Sequence, residues 1–235
     1  MMANCPPMLN AGFMSYFIAG TDTGVGKTLI SCALLHGFCA PGMRMVGFKP
    51  VAAGCNEQGR NEDAMQLHAA SNVSVCYEQI NPYCFSRAIA PHLAAACAGV
   101  LIDLQRIVTV YRELAVRSDG VIVEGVGGFC VPLNEQQDGA DMALSLNLPV
   151  ILVVGIRLGC LNHAQLSAYA IEGRGLELAG WVANCLDATM PMLNENIVAL
   201  QQRIKAPLLG VVPHYQSVPD ARVVAAGLNL SLLKH

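Results

Sequence analysis

The stretch that decides the fold is residues 16–28, which read Tyr16-Phe-Ile-Ala-Gly20-Thr-Asp-Thr-Gly-Val-Gly-Lys-Thr28. Its first five residues predict a short buried strand, and a helix is predicted over Lys27–Cys39. A glycine-rich turn between a strand and a helix lets main-chain N–H groups surround an anion at the helix N-terminus. The stretch therefore predicts a phosphate-binding loop (P-loop), with Lys27 on the phosphates and the Thr28 hydroxyl on a divalent metal.

The loop departs at one position from the usual pattern G-x-x-x-x-G-K-[ST]. Counting back from Gly26, the first glycine position holds Thr21, and Gly20 lies one residue earlier. The alternative is a chance Gly-Lys-Thr in an ordinary strand–helix turn, but the strand before it and the helix after it both fit a P-loop. The residues predicted to surround the phosphates are Gly24, Val25, Gly26, Lys27, Thr28 and Leu29.

Apolar segments alternate with helical ones along the rest of the chain. Strands are predicted at 43–49, 120–124, 149–154, 178–184 and 207–212, and helices at 61–70, 104–115, 161–171 and 192–204. Nearly continuous Val, Ile and Leu in a strand indicates burial on both faces. We therefore expect an α/β fold with three layers, α/β/α, and a mostly parallel central sheet of the P-loop NTPase type. Ligands of such sheets bind at the carboxyl ends of the strands.

Length and composition limit the domain organisation and the partners. The 235 residues suit a single domain, predicted as 15–235, behind a loose N-terminal extension, 1–14. A net charge of -3 with no Lys/Arg run argues against a nucleic-acid partner. The longest apolar run, Leu148–Ile156, is far shorter than the about 20 residues of a membrane span, so we expect no membrane partner.

The cysteines predict the compartment. All 10 are scattered without a C-x-x-C pair, in a long chain that lacks the basic start of a secretory signal. Free and mostly buried thiols in the cytoplasm are therefore expected.

Three polar residues stand at positions that a ligand of the sheet would reach. Lys49 ends the second strand, Asp63 lies early in a helix, and Glu124 ends the strand Val-Ile-Val-Glu, followed by Gly125-Val126-Gly127-Gly128. The second strand is expected to run beside the first, which would bring Lys49 to the P-loop as a second cation. Each residue also has a structural alternative: a solvated lysine, a helix-start carboxylate and a carboxylate that caps a turn.

Matching segments run in order from about residue 15 to about residue 215, and their combination resembles the dethiobiotin synthetase family. Besides the P-loop they are Lys49-Pro-Val-Ala52, Asn81-Pro-Tyr83, Pro91-His92, Val123-Glu-Gly-Val-Gly-Gly128, Pro149 to Val154, Leu158-Gly-Cys-Leu-Asn-His163, Gly180-Trp-Val-Ala-Asn184 and Pro207-Leu-Leu-Gly210. A P-loop alone would indicate only the superfamily, whereas this combination covers most of the chain.

The resemblance implies an ATP-dependent ligase of biotin biosynthesis. In that reaction 7,8-diaminopelargonate takes up CO2 as a carbamate, ATP phosphorylates the carbamate, and the second amine closes the cyclic urea. Lys27 and Lys49 are the implied catalytic residues, and Mg²⁺ is implied on Thr28, Asp63 and Glu124. The residues implied in ATP binding beyond the P-loop are Asp63, Glu124, Gly125, Val126, Gly127, Asn184, Pro213, His214 and Tyr215.

The resemblance also implies a homodimer whose substrate site lies at the interface. The segment that would hold the substrate's carboxylate begins a helix, and its side-chain candidate is Asn162. The implied substrate contacts are Ala53, Gly128, Gly159, Cys160, Leu161 and Asn162. Ala53 stands where relatives carry a hydroxyl residue, so one hydrogen bond to the carbamate would be absent.

A ParA-like switch ATPase is the main alternative. It uses a related P-loop, typically with an extra lysine near its start, whereas Gly20-Thr-Asp-Thr23 has no lysine before Lys27. It would also present a basic DNA-contacting surface, which the composition does not favour.

Overall fold

The computed structural model of the chain describes residues 14–233. The strands are β1 (Tyr16–Gly20), β2 (Met45–Phe48), β3 (Val51–Ala53), β4 (Tyr83–Phe85), β5 (Gly120–Glu124), β6 (Val150–Ile156), β7 (Leu178–Cys185) and β8 (Leu208–Val212). The helices are α1 (Lys27–Cys39), α2 (Glu62–Ala70), α3 (Tyr77–Ile80), α4 (Pro91–Cys97), α5 (Leu104–Arg117), α6 (Gly139–Leu146), α7 (Cys160–Gly173), α8 (Leu193–Gln201) and α9 (Ala221–Ala226). A short 3-10 helix, Leu230–Leu232, follows α9.

Six strands form one parallel sheet in the spatial order β2-β5-β1-β6-β7-β8. Because all six run in the same direction, their carboxyl ends meet at one edge, where ligands of such sheets bind. β3 and β4 form a separate parallel pair beyond the end of β2. The predicted α/β class with a mostly parallel central sheet is confirmed.

The sheet separates two apolar cores, which explains the unbroken apolar runs of its strands. In β1, Phe17 and Ala19 belong to one core, whereas Tyr16 and Ile18 belong to the other. The first core also contains residues of α3, α4, α5, α6, α7 and α8, the second contains residues of α1 and α9, and α2 contributes to both. Alternate residues of one strand are therefore buried on opposite faces, as expected for the middle layer of an α/β/α fold.

The position of β2 differs from the expectation. The prediction that the second strand runs beside β1 is wrong, because β5 pairs with β1 on one side and with β2 on the other. Glu124, at the end of β5, is therefore placed between the end of β2 and the P-loop.

Most predicted elements occur within a few residues of their predicted bounds. β1, α1 and β5 have the predicted bounds, and Asn61 caps α2 through a hydrogen bond from the N–H of Ala64. The pair β3–β4 and the helices α3, α4, α6 and α9 were not predicted, since these segments are short and carry weak periodicity.

The expectation of free and mostly buried thiols is wrong for several cysteines. Cys55 and Cys84 form a disulfide, with their Cα atoms 6.1 Å apart. The pairing of β3 with β4 brings them together, since the N–H of Cys55 donates to the Phe85 carbonyl at 3.0 Å. Of the free cysteines in the described part, the exposed ones are Cys76, Cys97 and Cys130.

The predicted extension, 1–14, lies outside the described residues except for Met14. Met14 is buried, and its N–H donates to the Asp119 carbonyl at 3.0 Å. The single domain 15–235 stays a prediction. Among residues 14–233, no helix combines the length and apolar composition that crossing a bilayer requires.

Candidate active site

The P-loop occupies the turn between β1 and α1. Gly24 and Gly26 have left-handed backbone, with φ of 73° and 89°, a conformation that costs other residues free energy. Lys27 is the first residue of α1, and its Nζ donates to the main-chain carbonyl of Asp22 at 3.0 Å. The N-cap residue of α1 is Gly26, which has no side chain that could cap the helix. The N–H groups of its first turn are therefore suited to receive an anion.

Lys27 is buried, and its ammonium lies in the field of a second lysine. Burial lowers the pKa of Lys27 to about 8, and the positive charge of Lys49 acts in the same direction. The carboxylates of Glu124 and Asp63 oppose this shift without cancelling it. An anion bound beside Lys27 would therefore stabilise its charged form.

Lys49 joins two carboxylates at the edge of the sheet. Its Nζ lies 2.6 Å from Glu124 Oε1 and 3.2 Å from Asp63 Oδ2, and it also donates to the Gly125 carbonyl at 3.3 Å. The side chains of Lys49 and Glu124 are 4% and 0% exposed, so this ion pair is buried. Burial by itself lowers the pKa of Lys49, but the charges of Glu124 and Asp63 outweigh it and raise that pKa.

Thr28 connects this charge cluster to the P-loop. Its hydroxyl donates to Glu124 Oε1 at 3.0 Å. Burial raises the pKa of Asp63, but the charge of Lys49, 3.2 Å away, and the nearby Thr28 hydroxyl outweigh it and lower that pKa. Glu124 Oε2 is buried without a hydrogen-bond partner among residues 14–233. Such an orphaned oxygen usually indicates an absent ligand, ion or water.

A cavity of about 730 Å³ opens beside these groups. The predicted residues that line it are Gly24, Gly26, Lys27, Thr28, Lys49, Ala53, Asp63, Glu124, Val126 and Gly127. The structure thus brings both predicted catalytic lysines and all three predicted metal ligands into one cavity.

Other predicted residues lie just behind the cavity. Val25 is buried, and its carbonyl accepts from Asn184 Nδ2 at 2.8 Å, so β7 supports the P-loop from behind. Gly125 touches the site through its carbonyl. A Cβ on Gly128 would lie 3.8 Å from the Gly20 carbonyl oxygen, next to the start of the loop. Leu29 is half-buried in the first turn of α1.

Two predicted segments do not line the cavity within one copy of the chain. Pro213, His214 and Tyr215 follow β8 and are exposed; Pro213 and Tyr215 line a separate cavity of about 50 Å³. Gly159, Cys160, Leu161 and Asn162 begin α7 after β6, where Cys160 is buried and Asn162 is exposed.

One wall of the cavity was not predicted from the sequence. It is formed by Ala88, Ile89, Ala90 and Pro91 at the start of α4, together with Val131. The sequence signal for this wall is the dipeptide Pro91-His92, which belongs to the family resemblance but implies no particular role.

Comparisons with known proteins agree with this geometry. A model of the AAA domain family matches residues 14–222. An ATP-dependent dethiobiotin synthetase BioD from Nitrosospira multiformis is 52% identical over 216 residues, covering 92% of this chain and 95% of the relative. The synthetase of the same name from Aromatoleum aromaticum is 52% identical over 215 residues, covering 90% and 96%.

Solved structures resemble the chain in fold alone. The septum site-determining protein MinD complexed with Mg-ADP from Pyrococcus horikoshii has a TM-score of 0.51 and 16% identity, covering 93% of this chain and 89% of that one. The MinD cell division protein of Aquifex aeolicus has a TM-score of 0.53 and 15% identity, covering 93% and 88%.

The parallel sheet, the P-loop at its carboxyl edge and the lysines beside it define a P-loop NTPase-type nucleotide-binding protein. Similarity to the two synthetases narrows this class, since it extends over nine-tenths of the chain and nearly the whole of each relative. The chain belongs to the ATP-dependent dethiobiotin synthetase family.

Proposed function

We propose that the chain closes the ureido ring of dethiobiotin, converting 7,8-diaminopelargonate, CO2 and ATP to dethiobiotin, ADP and phosphate. Its relatives are named for ATP-dependent dethiobiotin synthesis. The observation that carries the proposal is the position of Lys49, whose Nζ lies within 3.2 Å of both Asp63 and Glu124 in a cavity lined by the P-loop. We place the reaction in the cytoplasm, as a step of biotin biosynthesis.

The site must help a weak nucleophile attack phosphorus. One amine of the diamine adds to CO2 and loses a proton, which forms a carbamate. A carbamate oxygen attacks the γ-phosphorus of ATP, and ADP leaves. The second amine then attacks the carbonyl carbon of the carbamic-phosphoric anhydride, loses a proton and expels phosphate. Because a carbamate is weakly nucleophilic, the chain contributes mainly position and charge neutralisation, through the P-loop amides, Lys27 and Lys49.

The residues present fit a Mg²⁺ ion. Thr28, Asp63 and Glu124 supply one hydroxyl and two carboxylates, hard oxygen ligands at the mouth of the P-loop. The buried Glu124 Oε2, which lacks a hydrogen-bond partner in the described chain, is the atom best suited to coordinate it. Mg²⁺ bound there would neutralise charge on the phosphates, as in other P-loop enzymes.

We assign the adenine of ATP to the carboxyl ends of β7 and β8. Asn184 Nδ2 donates to the Val25 carbonyl. The Asn184 Oδ1 is therefore the atom that accepts from the purine amino group. The exposed residues Pro213, His214 and Tyr215 follow the neighbouring strand β8, and the base stacks on this segment.

The carboxylate tail of the diamine needs a partner that one copy of the cavity does not supply. The lining cations in the described chain are Lys27 and Lys49, which serve the phosphates and the carbamate. The N-terminus of α7, where Gly159 and Asn162 are exposed, offers main-chain N–H groups suited to a carboxylate. A homodimer in which α7 of the second copy faces the cavity completes the substrate site.

Purified protein tests the function when it is mixed with 7,8-diaminopelargonate, bicarbonate, ATP and Mg²⁺. We expect phosphate release and dethiobiotin formation in equal amounts, and loss of both when the diamine is omitted or Mg²⁺ is chelated. ATP hydrolysis that does not depend on the diamine would contradict the proposal and favour the ParA-like switch ATPase.

Asn162→Ala tests the substrate-tail assignment. We expect the KM for the diamine to rise about tenfold while the KM for ATP stays unchanged, because one hydrogen bond to a charged group is worth roughly 1.5–3 kcal/mol. The matched control is Asn194→Ala, which removes an exposed asparagine from the first turn of α8. If Asn162→Ala and Asn194→Ala have the same KM for the diamine, Asn162 does not bind the carboxylate tail.

A further inference from the structure

The main chain of Lys49 is held by a segment outside the central sheet. Lys49 lies one residue beyond β2, whose pairing with β5 reaches Phe48 and Val123. Its N–H donates to the Ile80 carbonyl at 2.8 Å, and its carbonyl accepts from Asn81 Nδ2 at 2.7 Å. Two consecutive residues therefore satisfy both main-chain polar groups of Lys49 and fix the point from which its side chain extends.

Asn81 is itself oriented by a tyrosine hydroxyl. Its Nδ2 also donates to the Tyr83 carbonyl at 3.1 Å, while its Oδ1 accepts from Tyr77 Oη at 3.2 Å. All of these hydrogen bonds fix the orientation of the Asn81 amide: its NH2 group donates to two carbonyls, and its oxygen accepts from the Tyr77 hydroxyl. Asn81 and Tyr77 are both buried, at 4% and 8% exposed, where such hydrogen bonds are stronger than in water.

The Tyr77 hydroxyl also contacts the helix that carries Asp63. Tyr77 Oη accepts from the main-chain N–H of Asn61 at 2.7 Å. Asn61 is the N-cap of α2, and its Oδ1 accepts from the N–H of Ala64 at 3.3 Å. Asp63 is the second residue of that helix, so one hydroxyl connects the start of α2 with the amide that holds Lys49.

We propose that Tyr77 and Asn81 are positioning residues that set the distance between Lys49 and Asp63. Neither residue lines the cavity, so both act through the groups that do. The inference rests on the proposed function, in which Lys49 and Asp63 meet around the transferred phosphoryl group. Displacements of about 1 Å at such groups can cost about a hundredfold in rate.

Tyr77→Phe tests the proposal by removing only the hydroxyl. We expect kcat for dethiobiotin formation to fall about tenfold, because a buried donor and acceptor lose their shared partner. The KM for ATP and the Kd for ADP should stay within about twofold, since the P-loop contacts are untouched.

The chain offers a matched control in Tyr83→Phe. Tyr83 is also buried, and its hydroxyl accepts from the main-chain N–H of Asp103 at 3.0 Å. Asp103 is the N-cap of α5, so both substitutions remove a hydrogen bond to the N–H of an N-cap residue. We expect Tyr83→Phe to keep kcat within about twofold of the unmodified chain, because its hydroxyl leads to no site residue.

Hydrogen exchange does not require turnover, so it tests the positioning role of Tyr77 separately from the proposed function. Hydrogen exchange in peptides covering 45–53 and 61–67 should become faster in Tyr77→Phe and stay unchanged in Tyr83→Phe. Equal kcat losses in both variants, or an unchanged kcat in Tyr77→Phe, would overturn the positioning role. If the unmodified chain forms no dethiobiotin, the proposed function is wrong. Hydrogen exchange still tests the connection in that case, because unchanged exchange in Tyr77→Phe would show that the Tyr77 hydroxyl does not connect residues 45–53 with residues 61–67.

Discussion

Lys49→Gln is expected to lower kcat by about 10²–10³-fold while the Kd for ADP changes little. The reason is the location of Lys49 Nζ, which lies among Glu124, Asp63 and the Gly125 carbonyl rather than in the P-loop turn. In the proposed site, ground-state binding of the diphosphate depends on the P-loop amides and Lys27, which the substitution leaves in place. Initial rates of dethiobiotin formation and calorimetric titration with ADP measure the two quantities.

The same substitution should also destabilise the fold, because it leaves two carboxylates without their shared cation. Glu124 is fully buried, and removing one partner of a buried ion pair costs about 3–5 kcal/mol. Denaturant unfolding measures this loss, and Mg²⁺ should recover part of it if Glu124 and Asp63 hold the ion. Rates are therefore compared at a temperature where both proteins remain folded.

The control is Lys205→Gln, the same substitution at an exposed lysine between α8 and β8. We expect unchanged kcat and unchanged stability there, since surface charges far from a site contribute little. Unchanged turnover in Lys49→Gln would remove Lys49 from the mechanism. A lost ADP affinity in a folded Lys49→Gln protein would instead show that Lys49 acts in nucleotide binding.

The parts of the site that were predictable are those encoded by short local patterns. The strand, turn and helix of the P-loop are contiguous, and Glu124 ends a strand whose apolar run is unmistakable. The convergence of strand ends at one edge follows from the parallel arrangement alone. The shared edge placed Lys49 and Glu124 on the same side of the sheet as the P-loop, but the reason given for the proximity of Lys49, that β2 runs beside β1, was wrong.

The unpredicted parts depend on pairing between segments that are distant in sequence. The order of β2, β5 and β1 is decided by through-space packing, and nothing in an apolar strand specifies its neighbour. The pair β3–β4 has only three residues in each strand, too few for a periodic signal, so the Cys55–Cys84 disulfide was not foreseen. The Tyr77–Asn81 hydrogen bond was not predicted either, because the contacts of a buried hydroxyl produce no pattern in the sequence.

The second large effect is expected for Gly26→Ala, which should raise the Kd for ADP by at least about a hundredfold. Gly26 has a φ of 89°, and a Cβ there would lie 2.3 Å from Asn184 Nδ2. Asn184 is buried at the end of β7 and donates to the Val25 carbonyl, so it cannot move aside without breaking a contact that supports the loop. The loop itself must therefore shift, which displaces the amides that we propose bind the phosphates.

Gly42→Ala separates this clash from the general cost of left-handed backbone. Gly42 has a φ of 96°, and a Cβ there would meet nothing within 4 Å. Both substitutions should destabilise the fold by about 1–2 kcal/mol through the backbone conformation, measured by denaturant unfolding. Only Gly26→Ala should lose nucleotide, since only there does the new methyl group meet a side chain behind the P-loop. Equal ADP affinities in the two variants would show that the Asn184 contact does not hold the loop in its binding conformation.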